Sequence, residues 1–173
     1  MNLREYFAAV RKNLDESDIV TIVNIVDERV FQGRGYFRAR LTLSNGDFLE
    51  IAESFVEQSQ QVITLDYRYQ WMDSTKQRLC KRWDSVKHFP NLDNFPHHVH
   101  VLAESNIEPG VCRSILEFLD FMESELEYIA IAHFSQISVK IESLSQFPIL
   151  CKTHDRLSTK PTPKTGKNSI SPG

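Results

Sequence analysis

An α+β fold, a curved antiparallel β-meander packed against an N-terminal helix and a C-terminal helix, is the architecture this sequence predicts. Three observations carry it. Residues 36–51 alternate apolar and polar side chains around an Asn45-Gly46 turn, and a second alternating run fills 61–71. Stretches with apolar residues at three- and four-residue spacing flank these strands on both sides.

Along 3–16, Leu3, Phe7, Val10 and Leu14 share one stripe while Arg4, Arg11 and Lys12 fall elsewhere, as in an amphipathic helix. Residues 19–28 (IVTIVNIVDE) are dense in β-branched side chains and short for a helix, so they read as a strand. In GYFRARLTL, Phe37, Ala39, Leu41 and Leu43 point one way and Tyr36, Arg38, Arg40 and Thr42 the other. Loop length then sets the register of the hairpin. A two-residue loop would oppose Leu41 to Glu50 and put a carboxylate on the apolar face. A three-residue loop with Gly46 in a left-handed bulge opposes Leu41 to Leu49, Ala39 to Ile51 and Arg40 to Glu50, and is preferred because it keeps the core dry.

The next strand, 61–71, is expected to show Ile63, Leu65, Tyr67, Tyr69 and Trp71 on one face, a stripe that reads as core before it reads as a base-stacking platform. Asp73 to Lys76 form a turn, Leu79 to Trp83 return, and Pro90 and Pro96 make 84–96 an irregular loop. A short strand around Val99 and Val101 follows. After Pro109, Val111, Ile115, Leu119, Met122 and Leu126 predict a second helix with Glu117, Asp120, Glu123 and Glu127 off the stripe. Tyr128 to Phe134 could prolong that helix or form a strand.

With 173 residues, 41% hydrophobic and a formal charge of −3, the chain can bury a core and is not composed like a chain disordered throughout. Residues 152–173 carry five cations against Asp155 among Pro, Gly, Ser and Thr, so a disordered tail of net +4 is expected after one domain spanning 1–151, in which 128–151 is an extension. The remainder is then net −7 and unevenly charged, with cations and His concentrated between Arg68 and Val101 and acids between Glu104 and Glu127. No stretch approaches the roughly 18 uncharged apolar residues of a membrane span, and Met1-Asn2-Leu3-Arg4-Glu5 does not read as a secretory signal. Cys80, Cys112 and Cys151 form no CxxC pair; reduced thiols and a cytoplasmic location are expected.

The chemistry concentrates in RLCKRWDSVKHFPNLDNFPHHVHV, where His88, His97, His98 and His100 lie within 13 residues. If 95–101 runs extended, His98 and His100 share one face and His97 looks away. The neighbouring polar face offers Arg38, Arg40, Glu50, Asp66 and Arg68, with Arg82, Asp84 and Lys87 close in sequence. Metal-free ribonuclease action needs a base, an acid and cations around the phosphorus, and two His or a Glu/His pair with Arg nearby supply them. The rival readings are His that merely pack, a cross-strand Arg40–Glu50 ion pair, and a metal site of His98 and His100 with Asp84. No third ligand has a fixed spacing, so no metal and no cofactor are expected. P-loop, GxGxxG, HExxH and GxSxG patterns are lacking.

The elements GYFRARLTLSNGDFLEIAE, YRYQW, RWD and FPHHVHV, in this order, resemble the TumE-type toxins of prokaryotic toxin–antitoxin pairs over roughly residues 15–127. The resemblance implies a small cytoplasmic toxin whose partner is a cognate antitoxin with a helix-turn-helix, and ribonuclease action on RNA is what toxins in general lead one to expect. Carried over by position, the motif residues are Arg38, Arg40, Glu53, Tyr67, Tyr69, Arg82, Trp83, Asp84, His88, His97, His98 and His100. The chain departs from the pattern at Gln70 and Phe89, where the resemblance expects His. It also points to Glu53 where the register points to Glu50, which a bulge between the two would reconcile. The expected catalytic set is therefore His98, His100, His97, His88, Arg40, Glu50, Glu53 and Asp84, with Arg38, Arg68, Arg82 and Lys87 on RNA. The expected partners are the antitoxin and RNA, with no membrane, and a homodimer is left open; the alternative functions are an RNA- or protein-binding module that has lost activity and a metal-dependent nuclease.

Overall fold

Alternation in the hairpin organises the whole sheet. A computed structural model describes residues 1–145, with side chains as far as residue 131. Its strands are β1 (Val20–Phe31), β2 (Arg34–Leu43), β3 (Phe48–Gln58), β4 (Gln61–Met72), β5 (Leu79–Asp84), β6 (His98–Val101) and β7 (Ile107–Pro109), flanked by α1 (Leu3–Glu16) and α2 (Ile115–Ser145). The strands form one sheet in chain order, every neighbour antiparallel. Residues Met1–Phe134 make one compact unit; of the unit beginning at Ser135, the described residues are the end of α2. The expected tail at 152–173 and Cys151 lie outside the described residues. No described helix is long and apolar enough to cross a membrane.

The three-residue loop is present. Leu41 pairs with Leu49, Ala39 with Ile51 and Arg40 with Glu50. Gly46 sits at φ 86°, a left-handed conformation that suits glycine, and its N–H donates to the Leu43 carbonyl at 2.9 Å. One face of the sheet is thereby fixed as apolar: Phe37, Leu41, Leu43, Leu49, Ile51 and Phe55 are fully buried. An Asn2/Glu5 capping box starts α1, whose Phe7 packs on Phe37 and Phe55 and whose Tyr6 meets Phe55 edge-on. A second box, Ser114 with Glu117, starts α2, and Phe118 stacks on Tyr69 with ring centroids 4.2 Å apart. Both helices cover the same face. The other face carries the polar side chains of the hairpin.

Three expectations need correction. Ile63 and Leu65 do not continue the Tyr67/Tyr69/Trp71 stripe; both are exposed. Ser54 pairs with Asp66 but Phe55 with Thr64, so Leu65 is an extra residue in β4 and every side chain before it changes face. Val111 is exposed and precedes α2, which starts at Ile115. No bulge separates Glu50 from Glu53, because β3 pairs with β2 without a shift from Phe48 to Val56. Glu53 therefore points into the core. Helix, not strand, runs through 128–134, and β7 was not anticipated.

Leu41→Ala should lower the unfolding free energy by roughly 2–5 kcal/mol, the range for truncating a buried leucine. Urea unfolding of both proteins measures it; a change under about 0.5 kcal/mol, typical of a surface site, would contradict the face assignment.

Candidate functional site

Cross-strand pairing lays two rows of side chains over the open face. The first is Arg38, Ala52, Arg68, Asp84 and His98, one residue from each of β2 to β6. The second, alongside it, is Arg40, Glu50, Gln70, Arg82 and His100. Residues directly opposite on neighbouring strands share a face. Ala52 is the one small side chain in the first row. A groove of about 550 Å³ opens there, its walls including Tyr36, Arg38, Glu50, Asp66, Arg68 and Lys87.

The cations of this face are not equivalent. Glu50 accepts from Arg38 at 2.9 Å and from Arg40 at 2.8 Å. Desolvation pushes the Glu50 carboxyl up, but the hydrogen bonds and charge of Arg40 and Arg38 outweigh it and hold its pKa below the ordinary value. Two guanidinium groups thus clamp Glu50 in place on this face. Arg82 donates to Asp84 at 3.1 Å and to Glu104 at 2.6 Å, and is itself largely buried. Arg68 hydrogen-bonds only the neutral Gln70 amide at 2.7 Å. Among the described residues neither Arg68 nor Lys87 has an ion pair, and neither has Asp66 on the same groove.

At the end of the rows Asp84, His98 and His100 come together, all buried. The Asp84 carboxylate lies 3.0 Å from His98 Nε2 and 3.7 Å from His100 Nε2. Each imidazole turns its other nitrogen to a backbone carbonyl, His98 Nδ1 to Pro96 at 2.9 Å and His100 Nδ1 to Glu104 at 2.8 Å. A carbonyl only accepts, so both Nδ1 atoms carry protons, and in the neutral rings Nε2 is the lone pair. The Val86 N–H donates to Asp84 Oδ1 at 3.0 Å and fixes the carboxylate. Phe89 sets its ring edge-to-face against His98, centroids 5.0 Å apart, and closes the cluster. Gly110 lets the chain close on β6: a Cβ there would lie 2.8 Å from the His98 backbone nitrogen.

The remaining predicted residues are elsewhere. His97 is on the opposite face, stacked on Tyr67 with its Nδ1 3.2 Å from the Tyr67 hydroxyl; desolvation, then His98, lowers its pKa. His88 is exposed in the loop after β5. Glu53 is buried in the core, where it accepts from Tyr6 at 2.6 Å, Thr64 at 2.5 Å and the Ile115 N–H at 3.0 Å. Desolvation raises its pKa against these hydrogen bonds. It ties α1, β4 and the start of α2 to β3. Glu104 and Phe89 were missed as parts of the cluster: Glu104 reaches it only because β7 turns back on β6, which no spacing signals.

Fold and site together define a small α+β protein with an open sheet face, a groove lined by charges of both signs and an Asp/His cluster at the end of its rows. The family described as Toxin TumE matches residues 10–126, most of the chain, and the chain belongs to that family. It is the toxin component of a pair, which implies an antitoxin partner. Neither a search of curated proteins nor one of solved structures gives a match.

Glu53→Gln keeps the shape and lets the amide serve the same three partners, while removing the titration. A carboxyl raised in the folded state contributes stability that is fully present below its unfolded value and lost as pH rises through the folded one. Urea unfolding across pH 4–8 should therefore show the variant gaining on the wild type as pH rises. A constant difference would contradict the account of this carboxyl.

Proposed function

We propose that this toxin is an endoribonuclease that works on the open sheet face. Internal cleavage of RNA forms a bond from the 2′-oxygen to phosphorus as the bond from phosphorus to the 5′-oxygen breaks. The 2′-hydroxyl proton goes to a base, the departing oxygen takes one up, and charge on the phosphorus-bound oxygens needs cations. The observation that supports this reading most is the row Arg38–Ala52–Arg68–Asp84–His98, a groove with free positive charge leading to a buried acid–imidazole cluster. Arg68 and Lys87 are the phosphate contacts. Arg40 and Arg82, engaged by Glu50, Asp84 and Glu104, act as structural counter-charges. His98 and His100 are the acid and base candidates, and both Nε2 atoms are buried and face Asp84. That burial favours, as a second reading, a module that binds RNA without turnover.

Expression in a host without the antitoxin should arrest growth and leave cleaved RNA, and His98→Ala with His100→Ala should abolish both. Unaffected growth, or arrest undiminished by the double variant, would contradict the ribonuclease reading; RNA bound but uncleaved would select the second. With single-stranded RNA, Arg68→Gln should lower the slope of log K against log salt by roughly 0.7, the loss of one phosphate contact.

A further inference from the structure

We propose that Asp84, His98 and His100 hold one divalent transition-metal ion of the zinc type, bound by an Asp84 carboxylate oxygen and the two Nε2 atoms. The first argument is an unpartnered atom. His98 Nε2 is buried and has no hydrogen-bond partner, although Asp84 Oδ1 is only 3.0 Å away. Two acceptors at that distance repel unless a proton or a metal ion stands between them, and a buried ring nitrogen left without a partner is costly.

The second argument is orientation. Both Nδ1 atoms are committed to carbonyls, the outer hydrogen bond that fixes the tautomer of metal-binding His and leaves Nε2 to ligate. Asp84 is fixed in turn by the Val86 N–H and Arg82. The ligand atoms all lie within 4.8 Å of one another. Tetrahedral ligands about 2.0–2.1 Å from zinc stand roughly 3.3 Å apart, so the widest separation must close by up to about 1.5 Å on binding. Two imidazoles and one carboxylate suit a first-row metal rather than calcium or magnesium, and three protein ligands leave a position open. The guanidinium of Arg82 opposes a cation here, but Glu104 offsets it.

The site deepens the ribonuclease reading and rests on it for its use, since a metal ion at the end of the groove would place positive charge beside a phosphate held by Arg68. Binding itself can be measured without that reading.

The test strips the full chain with a chelator, titrates it with Zn2+ and Co2+, and follows stoichiometry by elemental analysis and calorimetry. About one ion per chain is expected, with visible absorption from bound Co2+ and a rise in Tm on adding Zn2+. Asp84→Asn and His98→Gln should each weaken binding by more than about 100-fold, beyond the 10–100-fold of an outer-shell change, while His88→Ala leaves it unchanged. Variants checked as folded by circular dichroism should lose the rise in Tm. No stoichiometric ion on the wild type, or affinity unchanged in folded Asp84→Asn, overturns the proposal. A bound ion without RNA cleavage supports the site and overturns the ribonuclease reading. Cleavage by metal-stripped protein in EDTA supports that reading and overturns the metal's part in it.

Discussion

Pairing Leu41 with Leu49 is the constraint on which the rest of this structure depends. Side chains in a strand alternate with a period of two, so a slip of one residue would turn Arg38, Arg40 and Glu50 inward and Leu41 and Ile51 outward. The loop through Gly46 prevents that slip locally, and burial of the hairpin's apolar face under α1 reinforces it. From there the register passes strand by strand. Because β4 follows β3 and β5 follows β4, the hairpin's alternation decides where Arg68, Asp84 and His98 emerge, one, two and three strands beyond β3.

Two buried carboxylates give the faces their different characters. Glu53 is held in the core by Tyr6, Thr64 and the Ile115 N–H, and so secures both helices to the sheet. Asp84, on the opposite face, meets two imidazoles whose remaining nitrogens are oriented by the backbone. One carboxyl is satisfied by donors and is structural. The other faces an imidazole nitrogen with no hydrogen-bond partner, as at a site prepared for a ligand. The same distinction separates the cations: Arg38, Arg40 and Arg82 are matched by carboxylates, and Arg68 is matched by an amide.

Features governed by local chemistry were legible in the sequence. Asn45-Gly46 with its alternating flanks disclosed the hairpin register, and the spacing of His98 and His100 placed them on one face with His97 on the other. The failures share a cause: each depended on a contact distant in sequence. Leu65 is an extra residue only relative to its partner strand, so alternation alone placed it and Ile63 in the core. Val111 fits a helical stripe, yet the capping box of Ser114 and Glu117 starts the helix later. The position of Asp84 across from His98 follows from β5 pairing with β6, which no sequence spacing fixes. The burial of Glu53 under Tyr6, Thr64 and the Ile115 N–H was likewise out of reach of any spacing.

The central claim is that the open face of the sheet, and not the helical face, is the working surface of this toxin. The most direct measurement is an NMR titration of the labelled protein with a short single-stranded RNA carrying 2′-O-methyl groups, which cannot be cleaved by its own 2′-oxygen. Backbone amides of Arg38, Ala52, Arg68 and Val86 should shift progressively with added RNA, while those of Ala8, Lys12 and Asp120 stay in place. Shifts confined to α1 and α2, with the rows on β2 to β6 unmoved, would contradict it.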